Sequence, residues 1–447
     1  MSKILLIQPS FEPGLTVPNL NSTMPLGLIY IGTVLKHNGH QIKIFDRNLN
    51  PSDQELLNLI RKNYDFIGIS SYTSRMLYDA IKVSKMAKEN SNSIVVWGSY
   101  HATSVPENTL KNEYVDYIVR GEGEETFLNM VNLHEKGKSF SNLNGVNLNP
   151  AAPAIDMDKL PFPDYDLVEV KKYPNFYIST SRGCPYRCSF CYNSYGPNCM
   201  QPYKEFSFNK SVELIRNLSS KYKKRTFTIV DDNFPSNRER LKLMSREMRN
   251  MDIKFDICCR ANYCDMETLS YLKKAGCWQI QIGVESGSQR VLNFLKKGTT
   301  VKMNADAINN CHKIGIMTHA SFMIGIPTET IEELNETLRF VKNNKPDLGG
   351  AGIFQPFPRT KLWDYCMERG IIKEPKTTEE WAGLYPTGYN KVNMKVSDIP
   401  NETLMQYHHN LNKMINKGRN LKKIFLYLKS RRMPDYRRVI SILKPRI

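Results

Sequence analysis

Ser181-Arg-Gly-Cys184-Pro-Tyr-Arg-Cys188-Ser-Phe-Cys191 sets three thiols at C-x3-C-x2-C spacing directly after a predicted strand, Phe176–Ser181. Thiolates hold iron–sulfur clusters, and three of them leave one iron without a protein ligand, a vacancy where substrate chemistry can occur. A structural zinc and a chance group of buried cysteines are the other two readings. Zinc asks for a fourth ligand and usually two separated pairs, and the nearest further candidate, Cys199, lies in a Gly-Pro-Asn loop. The spacing favours the cluster.

The rest of the cysteines agree with that chemistry. All ten lie at or beyond Cys184, whereas a secreted disulfide scaffold would spread its pairs along the chain. A reduced, cytoplasmic setting is expected. No run approaches the roughly 18 apolar residues of a membrane span, and Met1-Ser-Lys-Ile-Leu-Leu-Ile-Gln-Pro-Ser10 has too short an apolar core for a signal peptide. With 447 residues, 41% of them hydrophobic and 24% charged, the chain has the balance of a soluble protein of two or three domains.

Downstream of the cysteines, strands and helical patterns alternate. Strands are predicted near Thr226–Val230, Lys254–Cys259, Trp278–Val284, Met317–Ile324 and Gly349–Gln355. With Phe176–Ser181 these make six β/α units over residues 175–370, too few for a closed eightfold barrel, so a partial barrel is expected. Upstream, residues 1–140 alternate in the same way, with strands at Lys3–Gln8, Gln41–Phe45, Asp65–Ser71, Ser93–Gly98 and Val115–Val119. Pro25–His37 reads as a helix closed by Asn38-Gly39. This is an α/β, doubly wound, Rossmann-like domain, whose ligands sit beyond the carboxyl ends of the strands. Those ends are Gln8-Pro9-Ser10, Ser71-Tyr72-Thr73, Gly98-Ser99-Tyr100-His101 and Gly121-Glu122-Gly123-Glu124. A dinucleotide site would show G-x-G-x-x-G after the first strand, where the chain has Gln8-Pro-Ser-Phe-Glu-Pro-Gly14. Residues 141–174, rich in Asn, Pro and Asp, read as a linker, and residues 371–447 as a helical, basic extension.

Taken together, these motifs resemble the radical S-adenosylmethionine (SAM) family, and within it the class with an N-terminal cobalamin-binding domain. The resemblance covers about residues 1–370. In the barrel it rests on the cysteine motif, Ile229-Val-Asp231-Asp232-Asn233-Phe234, Arg260, Gly283-Val-Glu285-Ser286-Gly287, Phe322-Met-Ile-Gly325-Ile-Pro327 and Pro356-Phe-Pro-Arg-Thr360. In the first domain it rests on Pro25-Leu-Gly-Leu-Ile-Tyr-Ile-Gly32, Gly39-His40, Asp46, Trp97-Gly-Ser-Tyr-His101 and Arg120-Gly-Glu-Gly-Glu124. It implies a [4Fe-4S] cluster on Cys184, Cys188 and Cys191, whose open iron chelates the amino and carboxylate groups of SAM. An electron passed to the sulfonium then releases a 5′-deoxyadenosyl radical.

The same resemblance implies SAM contacts from Phe190, Asp231, Arg260, Glu285 and Ser286. It implies cobalamin contacts from Pro9, Ser71, Tyr72, Gly98, Ser99, His101, Gly121 and Glu122. Each has a plainer alternative: a structural salt bridge for Arg260 and Glu285, turn shaping for the glycines, loop packing for His101. The Phe322–Pro327 and Pro356–Thr360 motifs read as loops that shape strand ends. The Asp-x-His-x-x-Gly motif of the cobalamin mutases is absent, so no protein imidazole is expected on the lower face of the cobalt.

The implied activity is methyl transfer to an unactivated carbon or a phosphinate, with cyclisation or rearrangement without net methylation as the alternative. Methylthiotransfer would need cluster cysteines in the first domain, which has none. A non-catalytic cobalamin or cluster sensor would need neither Glu285 nor the Asp231-Asp232 pair. The expected partners are a small-molecule or lipid substrate and a reductant protein such as ferredoxin or flavodoxin. Selectivity is expected from the mouth loops and the extension, where Trp381, Tyr385, Tyr389, His408 and His409 are pocket or core.

Of the formal charge of +18, residues 401–447 supply +10, from twelve Lys or Arg against Glu402 and Asp435. Leu421, Ile424, Phe425 and Leu428 recur there at helical spacing among Lys422, Lys423 and Lys429. A docked amphipathic helix, a peripheral helix on anionic lipid and phosphate contacts to RNA all fit that pattern. No aromatic-interleaved basic module is present, so nucleic acid is not expected.

Overall fold

A strand covered on both faces reads as an unbroken apolar run, and Lys3–Gln8 (β1) is one, with Ile4, Leu5, Leu6 and Ile7 all buried. In the computed structural model β1 pairs in parallel with β2 (Gln41–Asp46) and with β3 (Phe66–Ser70). β3 pairs with β4 (Ile94–Gly98), and β4 with the two-residue β5 (Tyr117–Ile118), again in parallel. The order β2-β1-β3-β4-β5 reverses direction between β1 and β3, the switch point where ligands of such sheets bind. The structure describes residues 1–12, 14, 16–19, 22–194, 203–385, 392 and 394–417. Cys199, Tyr389 and the expected amphipathic pattern at Leu421–Leu428 lie outside them.

The crossovers are α1 (Leu26–His37), α2 (Asp53–Ile60), α3 (Met76–Asn90) and α4 (Gly123–Glu135). Helix α1 ends as expected at Asn38, followed by Gly39 at φ +86°. Trp97 of β4 is buried, and its Nε1 donates to Ser84 Oγ on α3 at 2.8 Å, so the indole fills the core without an orphaned donor.

By internal contacts the chain divides into two units. The first holds residues 1–177, 182–205 and 355–388; the second holds 178–181, 206–354 and 389–447. The cysteine motif therefore groups with the first sheet. Residues 141–174 lack long elements, as their composition requires, yet they are not a loose connector. Tyr165 is buried, Asp164 N donates to Thr33 Oγ1 at 2.7 Å, and Tyr173 Oη donates to Asp46 Oδ2 at 2.8 Å.

The second sheet runs β13-β12-β11-β10-β9-β6. Its strands are β6 (Phe176–Ile178), β9 (Thr226–Ile229), β10 (Lys254–Cys259), β11 (Cys277–Glu285), β12 (Met317–Ile324) and β13 (Leu348–Ile353). The short β7 (Ser181–Arg182) and β8 (Lys204–Glu205) bracket the cysteine loop in sequence. β9 to β13 are parallel throughout. Helices α5 (Phe208–Tyr222), α6 (Arg238–Met248), α7 (Met266–Ala275), α8 (Val301–Ile314) and α9 (Ile331–Asn344) return the chain between them. Their starts are written locally: Ser207, Asn237, Asp265 and Thr300 each accept an N-cap hydrogen bond, and Thr330 with Glu333 forms a capping box. Helix α10 (Asn401–Asn416) covers the edge strand β13, where Asn412 bonds both the N–H and the C=O of Ala351 at 3.1 Å. No helix among the described residues is long and apolar enough to cross a membrane.

Candidate cofactor sites

The cysteine loop opens at Gly183, which turns the chain at φ +72°. Cys188 is buried and Cys184 and Cys191 are half-buried, and none of the three is in a disulfide. Cys191 N donates to Cys188 O at 3.2 Å, and Leu362 N donates to Ser189 O at 3.0 Å. Among the described residues no three His, Cys, Asp or Glu side chains converge as ligands of one metal ion. The donor set, three soft thiols within the eight residues Cys184–Cys191 with no disulfide among them, fits an iron–sulfur cluster with one iron left over.

A carboxylate pair fastens this loop. Arg182 donates through Nη1 to Glu122 Oε1 and through Nη2 to Glu124 Oε1, both at 2.6 Å, with the two carboxylate side chains only 6% and 5% exposed. Lys204 also pairs with Glu122, whose Oε2 accepts from Ile155 N at 3.1 Å. Tyr30 lies under the guanidinium, 4.9 Å from ring centroid to Cζ. Burial works against the Arg182 charge, but Glu124 and Glu122 more than offset it and raise its pKa. Glu122, expected to touch cobalamin, is thus committed to the chain's own cations. The motif Arg120-Gly-Glu-Gly-Glu124 holds both sides of the cysteine loop.

The carboxyl ends of the first sheet divide into packed and open residues. Ser71 is fully buried, with N and Oγ both donating to Gly98 O at 2.8 and 2.7 Å, so it pins β3 to β4 instead of facing a ligand. His101 is also fully buried: Nδ1 meets Thr73 Oγ1 at 3.1 Å and the ring packs edge-on against Trp381. Burial pushes its pKa down to about 3, so the imidazole is neutral. Its Nε2 is buried without a hydrogen-bond partner among the described residues. Pro9 is buried with its carbonyl accepting from Asn48 Nδ2 at 3.2 Å. Gly98 is half-buried, while Ser99 and Gly121 are exposed at φ +80° and +74°. A serine held at positive φ is a strained position of the kind found at binding sites, and nothing stands within 4 Å of where a Gly121 Cβ would be. This open rim of small residues at the strand ends fits a large planar cofactor such as a corrin.

Tyr72, the remaining expected contact, is half-buried in a ring cluster the sequence reading missed. Tyr100, Tyr192 and Phe357 lie 5.6, 6.4 and 6.1 Å from its centroid, and Phe357 stacks on Tyr385 at 5.4 Å. Tyr100 and Tyr385 donate to Pro358 O and Pro356 O, each at 2.8 Å, which is how the Pro356–Thr360 motif is anchored. The available signal was position: Tyr72 and Tyr100 each lie two residues past a strand end and Tyr192 follows the last cysteine of the motif.

In the second sheet Asp231 and Ser286 part from expectation. Asp231 is fully buried, with Oδ1 and Oδ2 accepting from Thr180 N and Oγ1 at 2.6 Å; burial raises its pKa despite Arg240 and Thr180. It ties β9 to the segment before the cysteines and is fully buried; its neighbour Asp232 is the exposed one. Arg240, unnoticed in the sequence, is buried beside it and donates to Phe206 O, Thr180 O and Ser211 Oγ. Ser286 is fully buried, accepting from Ser288 N at 3.1 Å and meeting Thr337 Oγ1 at 3.3 Å, so it shapes the turn after β11. Phe190 is half-buried.

Arg260 and Glu285 do come together at the carboxyl ends of β10 and β11. Arg260 N donates to Asn233 Oδ1 at 2.9 Å and its Nη2 donates to Lys297 O, while Lys297 Nζ donates to Glu285 Oε1 at 2.6 Å. A carboxylate and a guanidinium joined through one lysine supply both acceptors and donors, which suits the polar end of SAM. Beyond β12, Glu329 is buried, and its Oε2 accepts from Gly325 N and Ile326 N at 2.6 and 3.3 Å. It sets the turn that the Phe322–Pro327 motif was expected to shape.

Comparison with known proteins agrees with both halves of this arrangement. Residues 178–341 match the radical SAM superfamily and residues 19–131 match the B12 binding domain. The chain is 33% identical over 394 residues to the uncharacterized methyltransferase PH0819 of Pyrococcus horikoshii, covering 83% of this chain and 84% of that protein. It is 28% identical over 394 residues to the anaerobic magnesium-protoporphyrin IX monomethyl ester cyclase of Rubrivivax gelatinosus, covering 81% and 69%. The fold matches the radical SAM methyltransferase TsrM of Kitasatospora setae, solved with cobalamin and a [4Fe-4S] cluster, at TM-score 0.70 and 18% identity over 84% of this chain and 76% of that one. The chain therefore belongs to the cobalamin-binding radical SAM family, enzymes whose cofactors are a [4Fe-4S] cluster, SAM and cobalamin.

Proposed function

We propose that this enzyme transfers a methyl group from SAM to an unactivated carbon or a phosphinate of a small-molecule or lipid substrate. The observation that carries the reading is 33% identity with a methyltransferase across 83% of the chain. When bound, the cluster with SAM supplies the radical that activates the acceptor carbon and cobalamin carries the methyl group. The chain's part is to hold and place. Cys184, Cys188 and Cys191 ligate the cluster, and Arg182, clamped by Glu122 and Glu124, fixes the approach to that loop. Arg260 and Glu285 orient SAM, with Phe190 beside the adenine. Pro9, Tyr72, Gly98, Ser99 and Gly121 form the rim for cobalamin. A ferredoxin or flavodoxin delivers the electrons in the cytoplasm, and the basic residues beyond Lys417 suit a docked amphipathic helix as well as peripheral contact with anionic lipid.

The 28% identity with a ring-forming cyclase favours a second reading, radical cyclisation without net methylation. Product mass separates the two. Incubating the reduced holoenzyme with methyl-labelled SAM and a cell extract should yield a small molecule heavier by CH2 and carrying the label. A product lighter by hydrogen and unlabelled would replace methyl transfer by cyclisation.

A further inference from the structure

Lys297 belongs to none of the motifs that mark the SAM site, yet the site is built around it. It follows the short helix Gln289–Phe294, and its side chain is 7% exposed against 10% for Glu285. Its Nζ lies 2.6 Å from Glu285 Oε1, and its carbonyl accepts from Arg260 Nη2. Two further features surround the pair. A Cβ on Gly283 would stand inside contact distance of Glu285 Oε1 and 2.8 Å from Lys297 Nζ, so a larger residue there would displace the ends of both side chains. Glu285 itself is held at φ +64°, where the β11–β12 ladder slips register between Gly283 and Glu285. Non-glycine residues adopt that conformation at a cost and keep it only where their surroundings enforce it.

A carboxylate whose one oxygen is taken by a lysine is fixed in orientation, and its other oxygen keeps its lone pairs as an acceptor. We propose that Lys297 is a positioning residue of the SAM site: it occupies Glu285 Oε1 and aims Oε2 at an ammonium or hydroxyl hydrogen of SAM. The proposal rests on the reading that Glu285 contacts SAM.

The test is SAM binding to the anaerobically reconstituted holoenzyme by equilibrium dialysis, with the change in the reduced cluster's electron paramagnetic resonance on adding SAM as a second readout. Lys297→Met and Glu285→Gln should each weaken binding by about tenfold, the loss of one charge-assisted hydrogen bond, with iron and cobalamin content unchanged. The double variant should bind no more weakly than Glu285→Gln alone, because the lysine acts only through the carboxylate. Lys297→Arg should restore part of the affinity. Wild-type affinity in Lys297→Met alongside a weakened Glu285→Gln would overturn the role of the lysine alone. Wild-type affinity in Glu285→Gln would instead remove the assignment of Glu285 to SAM. If Lys297→Met does not fold because it strands a buried charge, the double variant, which buries neither, carries the decision. It must match Glu285→Gln, and losses that simply multiply across the two sites refute the idea.

Discussion

Glu329 makes the second unit sensitive to alkali in a way that one substitution should cancel. Burial pushes its carboxyl up from 4.5 to about 8, against the Gly325 and Ile326 N–H groups that favour the ionised form. Between those values the folded chain keeps a proton that the unfolded chain has released. The stability this group contributes is therefore complete below pH 4.5 and is lost as pH rises through 8. At about 1.4 kcal/mol per pH unit across that window, the loss sums to on the order of 5 kcal/mol. Glu329→Gln imitates the protonated form: its carbonyl still accepts both N–H groups, and no charge is left to bury. Urea unfolding of both proteins across the window should show wild-type stability falling with pH relative to the variant. The two should coincide at the acid end and the variant should be the more stable at the alkaline end. Parallel pH curves for the two proteins would refute the argument.

Four other expectations follow from particular contacts. Replacing any of Cys184, Cys188 and Cys191 by alanine should strip iron and sulfide from the anaerobically purified protein and abolish cleavage of SAM to 5′-deoxyadenosine; full iron content would remove the cluster assignment. Arg182→Gln leaves Glu122 and Glu124, nearly buried, without their guanidinium. It should cost about 3 kcal/mol of stability, and an unchanged melting temperature would contradict that. His101 is held neutral at about 3 against an ordinary 6.5, so below 6.5 the unfolded chain binds a proton that the folded chain refuses. Stability should fall as pH drops from 6.5 toward 3, and the acid limb should flatten in His101→Gln, as equilibrium unfolding would report. Gly287→Ala would set a methyl 2.6 Å from Thr337 Cα and 2.7 Å from Glu336 O. It should cost about 1–3 kcal/mol by overpacking, whereas a melting temperature equal to wild type would show that the contact yields freely.

Strand runs, the Asn38-Gly39 helix stop and the cysteine motif were legible because each is a local pattern. A parallel strand covered on both faces must be apolar throughout, as Ile4 to Ile7 are. A helix stop carries its glycine beside the last turn, as Gly39 follows Asn38. Eleven of the expected strands therefore lie where their hydrophobicity placed them, and Cys184, Cys188 and Cys191 are grouped by spacing alone.

The fate of each polar side chain was a different matter, because it depends on partners distant in the chain. Asp231 and Asp232 are neighbours of the same type, yet Thr180, 51 residues away, takes both oxygens of one while the other stays exposed. Glu122 reads as a strand-end ligand until Arg182, 60 residues on, closes over it. Ser71 and Ser286 spend their hydrogen bonds on neighbouring backbone, and Lys297 became the partner of Glu285, through contacts of the same kind. Residue order determined the two α/β sheets and the chemistry available at their edges. The folded packing alone decided which side chains spend their hydrogen bonds on the protein and which keep them for a cofactor, because a buried polar group must be satisfied by whatever the tertiary fold brings beside it.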